Sequence, residues 1–426
     1  MPLQQVERAE LERPRVLRKL VPAKERRLSS PLLFAAAMAL IVWILVDSMP
    51  PALEKPKGDD SYYLHYMDTV ASQGPAAFPR LVEHWNSTPV DWRFPPPTRV
   101  GFVGISAVWG WLFGTTYRSL QSLSLASFVL LCVLNYVFVR RHFGGSTALL
   151  AGTLLGFSPL LMGLSRLALS DSTAVLWMSA SVWMFLEVSR DPTWVPKQVL
   201  FMVALTMMVL VKEISVLLVG AYVVFVLYER FVRGVPHDLR RAAVALAVPG
   251  AVVLAIQVLA AGGFAPLLET ARILLASPGT NRYAIRFGSG PWFRVILDFL
   301  LLSPWPTLLA IGWFWITAVR LRTGRFDRTS VYLGLVIASL VFVLSFFTKN
   351  VRYASVLEPP IRLFAVLLVR DLFGGLRGRL PRLLTGGVVA ILCALDWRSF
   401  ELIWVENEGF DPVTRFLGMV RRVIPY

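Results

Sequence analysis

Residues 119–139 read SLQSLSLASFVLLCVLNYVFV, an uncharged stretch that stops against Arg140-Arg141. As an α-helix rising about 1.5 Å per residue it is about 31 Å long, the thickness of a bilayer's hydrocarbon core. Runs of the same kind recur near 31–48, 147–164, 172–189, 198–211, 214–229, 241–262, 293–319, 329–347, 354–370 and 383–400. The chain of 426 residues is 56% hydrophobic, where soluble domains hold about 45–50%. The fold class is therefore an all-α polytopic membrane protein, a helical bundle with about eleven transmembrane helices. One further apolar stretch, 99–114 (RVGFVGISAVWGWLFG), is short, glycine-interrupted and aromatic, which suits a helix lying at the interface.

Charge decides between eleven crossings and twelve. If 99–114 does not cross, one side of the membrane carries residues 1–30, Arg140-Arg141, Arg190 to Lys197, Arg230 to Arg241, Arg320 to Arg328 and Arg370 to Arg382. Together these hold 24 of the 43 basic residues. Basic connections stay in the cytoplasm, so the N-terminus is expected inside and the C-terminus outside; a twelfth crossing would turn the Arg-rich loops outward. The net charge of +16 then serves topology, and nucleic acid is excluded as a partner. Cys132 and Cys393 both lie in apolar runs, so neither a disulfide framework nor a Cys-based metal site is expected. No small-residue cleavage site follows the first run, which reads as a retained signal anchor.

The expected plan is a basic cytoplasmic tail (1–30), a transmembrane domain (31–401) and a short outer tail (402–426). Two outer loops, 49–118 and 263–292, belong to the transmembrane domain. The first is rich in Pro, Trp and Tyr, with Pro95-Pro96-Pro97 at its centre, and reads as an ordered helical cap over the membrane surface. The bias to Ala, Val, Leu, Arg and Pro points to a bacterial plasma (inner) membrane, with the active side periplasmic or external.

That cap begins with the acidic pair Asp59-Asp60, followed at helical spacing by Tyr63. Adjacent carboxylates repel, so one tends to keep its proton or to need a cation, which suits general-base work. A bland alternative stands beside it, since Gly58-Asp59-Asp60-Ser61 also reads as a helix start. Asp171, in Ser170-Asp171-Ser172, carries the same two readings at the head of the next run. Lys212-Glu213 interrupts an apolar stretch and reads as a mutually neutralising pair, structural or donor-holding. Arg282, Tyr283 and Arg286 in the second outer loop are substrate-contact candidates. Arg362 falls inside an apolar run and needs a partner that the sequence does not name.

The order of these motifs resembles glycosyltransferase family 39 of the GT-C superfamily, which includes protein O-mannosyltransferases and the aminoarabinose transferase of lipid A. Asp59-Asp60-Ser61-Tyr62-Tyr63 with Gly74 resembles that family's first-loop signature, Asp60 standing where an Asp-Glu pair has its Glu. Ser165-Arg166-Leu167-Ala168-Leu169-Ser170-Asp171 resembles its second acidic motif. Leu112-Phe113-Gly114 with Arg118, and Arg140-Arg141-His142-Phe143-Gly144, resemble its intervening segments. Lys349-Asn350-Val351-Arg352-Tyr353 with Pro359-Pro360 resembles its late basic-aromatic motif, from which this chain departs at 354–358.

The resemblance implies an inverting glycosyltransferase that moves a sugar from a polyprenyl-phosphate donor to a hydroxyl of a protein, lipid or glycan acceptor. Asp59 inherits the role of catalytic base, with Asp60 and Asp171 orienting the acceptor or Asp59, or binding a metal. Lys349, Arg352 and Tyr353 are expected at the donor phosphate, and Tyr63, Arg166, Lys212 and Glu213 at the substrates. No cofactor is required; a divalent metal stays open, with Asp60 and His65 as candidate ligands. The alternative is a flippase, polymerase or transporter of lipid-linked sugars that uses the same basic surface without glycosyl transfer.

Overall fold

The computed structural model describes residues 29–50, 58–89, 95–191, 194–235, 239–280, 285, 288, 290–324, 327–347 and 350–407. Among them every regular element is helical. The first half of the chain runs through α1 (Ser29–Asp47), α2 (Asp59–Gln73), α3 (Phe78–Ser87), α4 (Val100–Phe113), α5 (Tyr117–Phe143), α6 (Gly145–Gly156), α7 (Pro159–Ser165), α8 (Asp171–Arg190) and α9 (Val195–Val211). The second half adds α10 (Leu217–Leu227), α11 (Leu239–Ala261), α12 (Phe264–Thr280), α13 (Arg294–Leu302), α14 (Pro304–Arg322), α15 (Arg328–Leu344), α16 (Glu358–Leu372) and α17 (Leu380–Phe400).

The chain is a multi-pass membrane protein. By length and composition, Ser30–Asp47, Tyr117–Phe143, Glu213–Val232 and Leu239–Ala261 can each cross a bilayer, and α6 with α7 forms one more candidate bent by 60°. Two of the expected single runs are broken, each at a proline. Between α6 and α7 the break falls at Ser158-Pro159, where Ser158 Oγ accepts from Leu161 N at 3.3 Å and caps the new helix. The run at 293–319 divides at Ser303, whose φ of −150° is extended. Pro304 has no N–H to donate and forces the preceding residue out of the helical region.

The core is α16, in which every residue from Glu358 to Val369 is buried. A helix enclosed on all sides is the centre of its bundle, and α16 packs against α14, α6 and α17. At the periphery α11 keeps only 11% of its apolar window inside the protein, leaving Val244, Val248 and Leu254 exposed toward lipid. Close approach of α1 to α6 depends on Gly152 and Gly156. A methyl at Gly152 would come 2.8 Å from Phe34, and one at Gly156 would overlap Ile41; small residues at such spacing let membrane helices touch backbone to side chain.

Between α1 and α5 the chain forms α2, α3 and α4, of which α2 packs on α4, α4 on α9 and α3 on α11. Gly74, at φ 74°, ends α2 and turns the chain through Pro75–Ala77 into α3, a conformation that a side chain would strain. With 14 residues, α4 is about 21 Å long, shorter than a bilayer core. It lies between α2 and α9, and a Cβ at Gly101 would sit 2.8 Å from Leu210.

The buried Arg362 has found its partners. Its Nε donates to Glu358 Oε2 at 2.8 Å and its Nη1 to Ser303 Oγ at 2.7 Å and to Asp396 Oδ2.

Candidate active site

Asp59 and Asp60 stand in the first turn of α2, after Gly58, where the positive end of the helix dipole favours negative charge. Four segments distant in sequence close on them: the residue preceding α4, the α7–α8 corner, the α9–α10 corner, and the 3₁₀ turn Val351–Leu357 that leads into α16. Each corner turns sharply at the end of an apolar helix, so its polar residues gather at one end of the bundle.

The contacts form two adjacent belts. In the first, Lys212 Nζ donates to Asp171 Oδ1 at 2.5 Å, and Arg352 Nη2 donates to Asp171 Oδ2 at 2.7 Å and to Asp59 Oδ2 at 3.4 Å. In the second, Arg99 grips Glu213 with two bonds, Nε to Oε2 at 2.8 Å and Nη2 to Oε1 at 2.5 Å. Its Nη1 donates to the Tyr63 hydroxyl at 2.5 Å, which lies 2.9 Å from Ser170 Oγ. The belts run in parallel because they use neighbouring residues: Lys212 beside Glu213, Asp171 beside Ser170, and Tyr63 one helical turn after Asp59.

The three carboxylates differ in what surrounds them. Asp171 is wholly buried, and each of its oxygens holds a cation. Asp60 accepts from the Tyr117 hydroxyl at 2.9 Å. Burial pushes its carboxyl up to about 6 and the neighbouring Asp59 adds to the rise, while the Tyr117 bond pulls it down. Asp59 is 30% exposed and meets only the long contact to Arg352 among the described residues. Burial also pushes the Tyr63 phenol up to about 12, against the Arg99 charge, so Tyr63 keeps its proton. The Tyr353 ring lies 5.0 Å from Lys212 Nζ and shields the cation from solvent.

The structure thus brings together Asp59, Asp60, Tyr63, Asp171, Lys212, Glu213, Arg352 and Tyr353. It corrects one pairing, because Lys212 and Glu213 do not neutralise each other. Lys212 is extended (φ −155°, ψ 111°) where the 3₁₀ turn of Glu213 begins, so the two side chains diverge to Asp171 and Arg99. Arg166 turns away from the belts: its guanidinium donates to the Ser48 and Trp404 carbonyls and stacks 5.3 Å from the Phe400 ring. Lys349, Arg282, Tyr283 and Arg286 lie outside the described residues. His65 is exposed on α2, five residues from Asp60 and so about 140° around the helix. Among the described residues no group of three or more His, Cys, Asp or Glu is placed to hold a metal ion.

Arg99 and Tyr117 are residues of this cluster that motif reading passed over, and Ser170 stood there only as the neighbour of Asp171. For Arg99 a signal existed, a single cation between Pro95-Pro96-Pro97 and an apolar helix. It was hidden by counting that arginine as the edge of an apolar run.

The family model for dolichyl-phosphate-mannose-protein mannosyltransferase matches residues 105–260, a segment that contains Asp171, Lys212 and Glu213. Among solved structures, ArnT from Cupriavidus metallidurans in the apo state aligns with a TM-score of 0.54 and 16% identity, covering 89% of this chain and 76% of that one. The same ArnT bound to undecaprenyl phosphate gives 0.55 and 19%, over 85% and 62%. The archaeal oligosaccharyltransferase AglB from Archaeoglobus fulgidus, in complex with an inhibitory peptide and a dolichol-phosphate, gives 0.59 and 12%, over 89% and 56%. This chain therefore spans between 56% and 76% of the length of these chains. No curated protein sequence matches it. The chain thus shares the fold of these membrane proteins, and its residues 105–260 match the mannosyltransferase family model.

Proposed function

We propose that the chain transfers a sugar from a polyprenyl-phosphate-linked donor to an acceptor hydroxyl at the outer face of the membrane, with inversion at the anomeric carbon. The observation that carries this reading is the asymmetry of the carboxylates. Asp171 has both oxygens occupied and Asp60 is bonded to Tyr117, whereas Asp59 is 30% exposed with its single cation at 3.4 Å. A general base must present a lone pair to its substrate, and Asp59 does.

In the proposed step the acceptor O–H gives its proton to Asp59 as its oxygen bonds to the anomeric carbon. The carbon–oxygen bond to phosphate breaks on the opposite face, and polyprenyl phosphate leaves with the bonding pair. Arg352, held in place by Asp171, meets the charge that grows on the leaving phosphate, with Lys349 as the expected second cation. Lys212 acts at one remove, since it fixes the carboxylate that fixes Arg352. The family match and the fold shared with proteins solved with undecaprenyl phosphate and dolichol-phosphate support a lipid-linked donor. The distribution of arginines supports the outer face.

The test is release of free polyprenyl phosphate from a panel of radiolabelled polyprenyl-phosphate sugars in membranes carrying the wild-type chain or Asp59→Asn. Turnover is expected to fall about 10²- to 10⁴-fold while donor binding persists. Donor movement across the bilayer that survives Asp59→Asn, with no Asp59-dependent release, would instead make the chain a flippase or transporter.

A further inference from the structure

The cluster around Arg362 lies outside both belts, yet it stands on the element that carries Arg352. The 3₁₀ turn Val351–Leu357 runs without a break into α16, since Leu357 (φ −76°, ψ −17°) and Glu358 (φ −56°, ψ −50°) are both helical. Asn350 caps the start of the turn by accepting from Arg352 N at 3.0 Å, and Ser355 Oγ donates to the Arg352 carbonyl at 2.7 Å. Arg352 is therefore fixed to the turn, and the turn to α16. Its position over Asp59 depends on how α16 is rotated and translated in the bundle.

Arg362 determines that setting. Its guanidinium reaches Glu358 on its own helix, Ser303 at the α13–α14 break and Asp396 on α17. Ser303 Oγ donates onward to Asp396 Oδ1 at 2.6 Å and closes a ring through three elements. Arg362, Glu358 and Asp396 are each no more than 1% exposed. In a medium of low polarity an unpaired charge is severely disfavoured, so α16 has one setting in which the guanidinium meets both carboxylates. The other residues of α16 from Pro359 to Val369 are apolar and set no such requirement. Among the described residues its remaining polar contacts, Arg370 to Thr147 and Asp371 to Arg320, lie at the far end of the helix.

We propose that Arg362, with Asp396 and Ser303, is a positioning residue for the transferase reaction and acts through Arg352. The inference rests on the transferase reading above. Arg352 touches Asp59 only at 3.4 Å, and a misplacement of about 1 Å in a reacting group can lower a rate about 100-fold. Loosening α16 therefore reaches the chemistry without removing any group from the site.

A double-mutant cycle for donor turnover separates this role from a purely structural one. Asp396→Asn is the first variant, since it keeps shape and removes one charge. A second variant, Arg362→Met with Glu358→Gln and Asp396→Leu, removes the guanidinium together with both of its carboxylates and keeps the core filled. Each is measured alone and with Arg352→Ala. In the wild-type background kcat is expected to fall about tenfold or more, with KM for the polyprenyl-phosphate sugar changing less than about threefold. With Arg352→Ala already present, the same substitutions are expected to lower kcat less than about twofold.

Equal losses in both backgrounds would overturn the proposal, as would unchanged kcat in the second variant. Arg352→Ala supplies the separate control: if it alone leaves turnover intact, the reading of the site fails and not merely this coupling.

Discussion

The two ends of α8 carry the same chemistry to different purposes. At its first residue Asp171 is enclosed by Lys212 and Arg352. Sixteen residues on, about 24 Å along the helix, Glu187 is 3% exposed and lies within reach of Arg141 at 3.0 Å, His142 at 3.1 Å and Lys197 at 3.3 Å. Nearby, Glu229 is bound by Arg328 and faces Arg233 at 3.3 Å. At that end the two buried acids are enclosed by cations, Arg141 and Lys197 around Glu187 and Arg328 and Arg233 around Glu229, and neither faces solvent. At the Asp171 end the cations are drawn into holding one carboxylate, and a second, Asp59, is left facing solvent. A structural ion cluster saturates its charges, whereas a reactive one keeps a vacancy where the substrate must enter.

Asp171→Asn is the largest test of that contrast. It leaves Lys212 and Arg352 buried with half their counter-charge, so a loss of about 3–5 kcal/mol in stability is expected, together with turnover. Thermal unfolding in detergent would read the first and polyprenyl phosphate release the second. Asp59→Asn should separate the two quantities, lowering turnover about 10²- to 10⁴-fold while stability stays within about 1 kcal/mol. If it destabilises as much as Asp171→Asn, the vacancy is not real.

At the other end Glu187→Gln should lower stability by about 1–3 kcal/mol. The loss is smaller because Arg141 is 58% exposed and returns to water. Turnover per folded molecule should be unchanged; a fall in kcat would mean that the two ends are coupled.

An effect of similar size, visible only as pH changes, concerns Asp60. Its carboxyl is raised from 3.8 to about 6 in the folded chain, so the folded state holds this proton more tightly than the unfolded state. The stabilisation is complete below about pH 4 and is lost as pH rises through about 6. Asp60→Asn removes that component. The stability difference between wild type and variant should therefore move against the wild type by about 1–3 kcal/mol between pH 4 and 7. A difference that stays flat would mean that Asp60 is ionised throughout.

Much of the fold was legible along the chain. The uncharged run at 119–139 is the core of a single helix, α5, because bilayer thickness sets a length that only a continuous apolar run can meet. The failures came at prolines and corners. The run at 293–319 is two helices, since mean hydropathy does not register the missing N–H of Pro304. Asp59, Asp171 and Arg352 stood in motifs and the structure brings them together, whereas Arg99 stood in none, because its contacts are to Tyr63 and Glu213, 36 and 114 residues away.

The sequence by itself determined that the chain lives in a membrane, where its helices run and which residue types could carry chemistry. These follow from local quantities: length, periodicity and charge. Only the tertiary structure decided which acid is open and which is enclosed. That distinction depends on whether a cation from a distant segment arrives at a given oxygen, and packing alone sets those distances. Lys212 and Glu213 illustrate it, adjacent in sequence and opposite in charge, yet turned apart by one extended residue to hold two different belts of the same site.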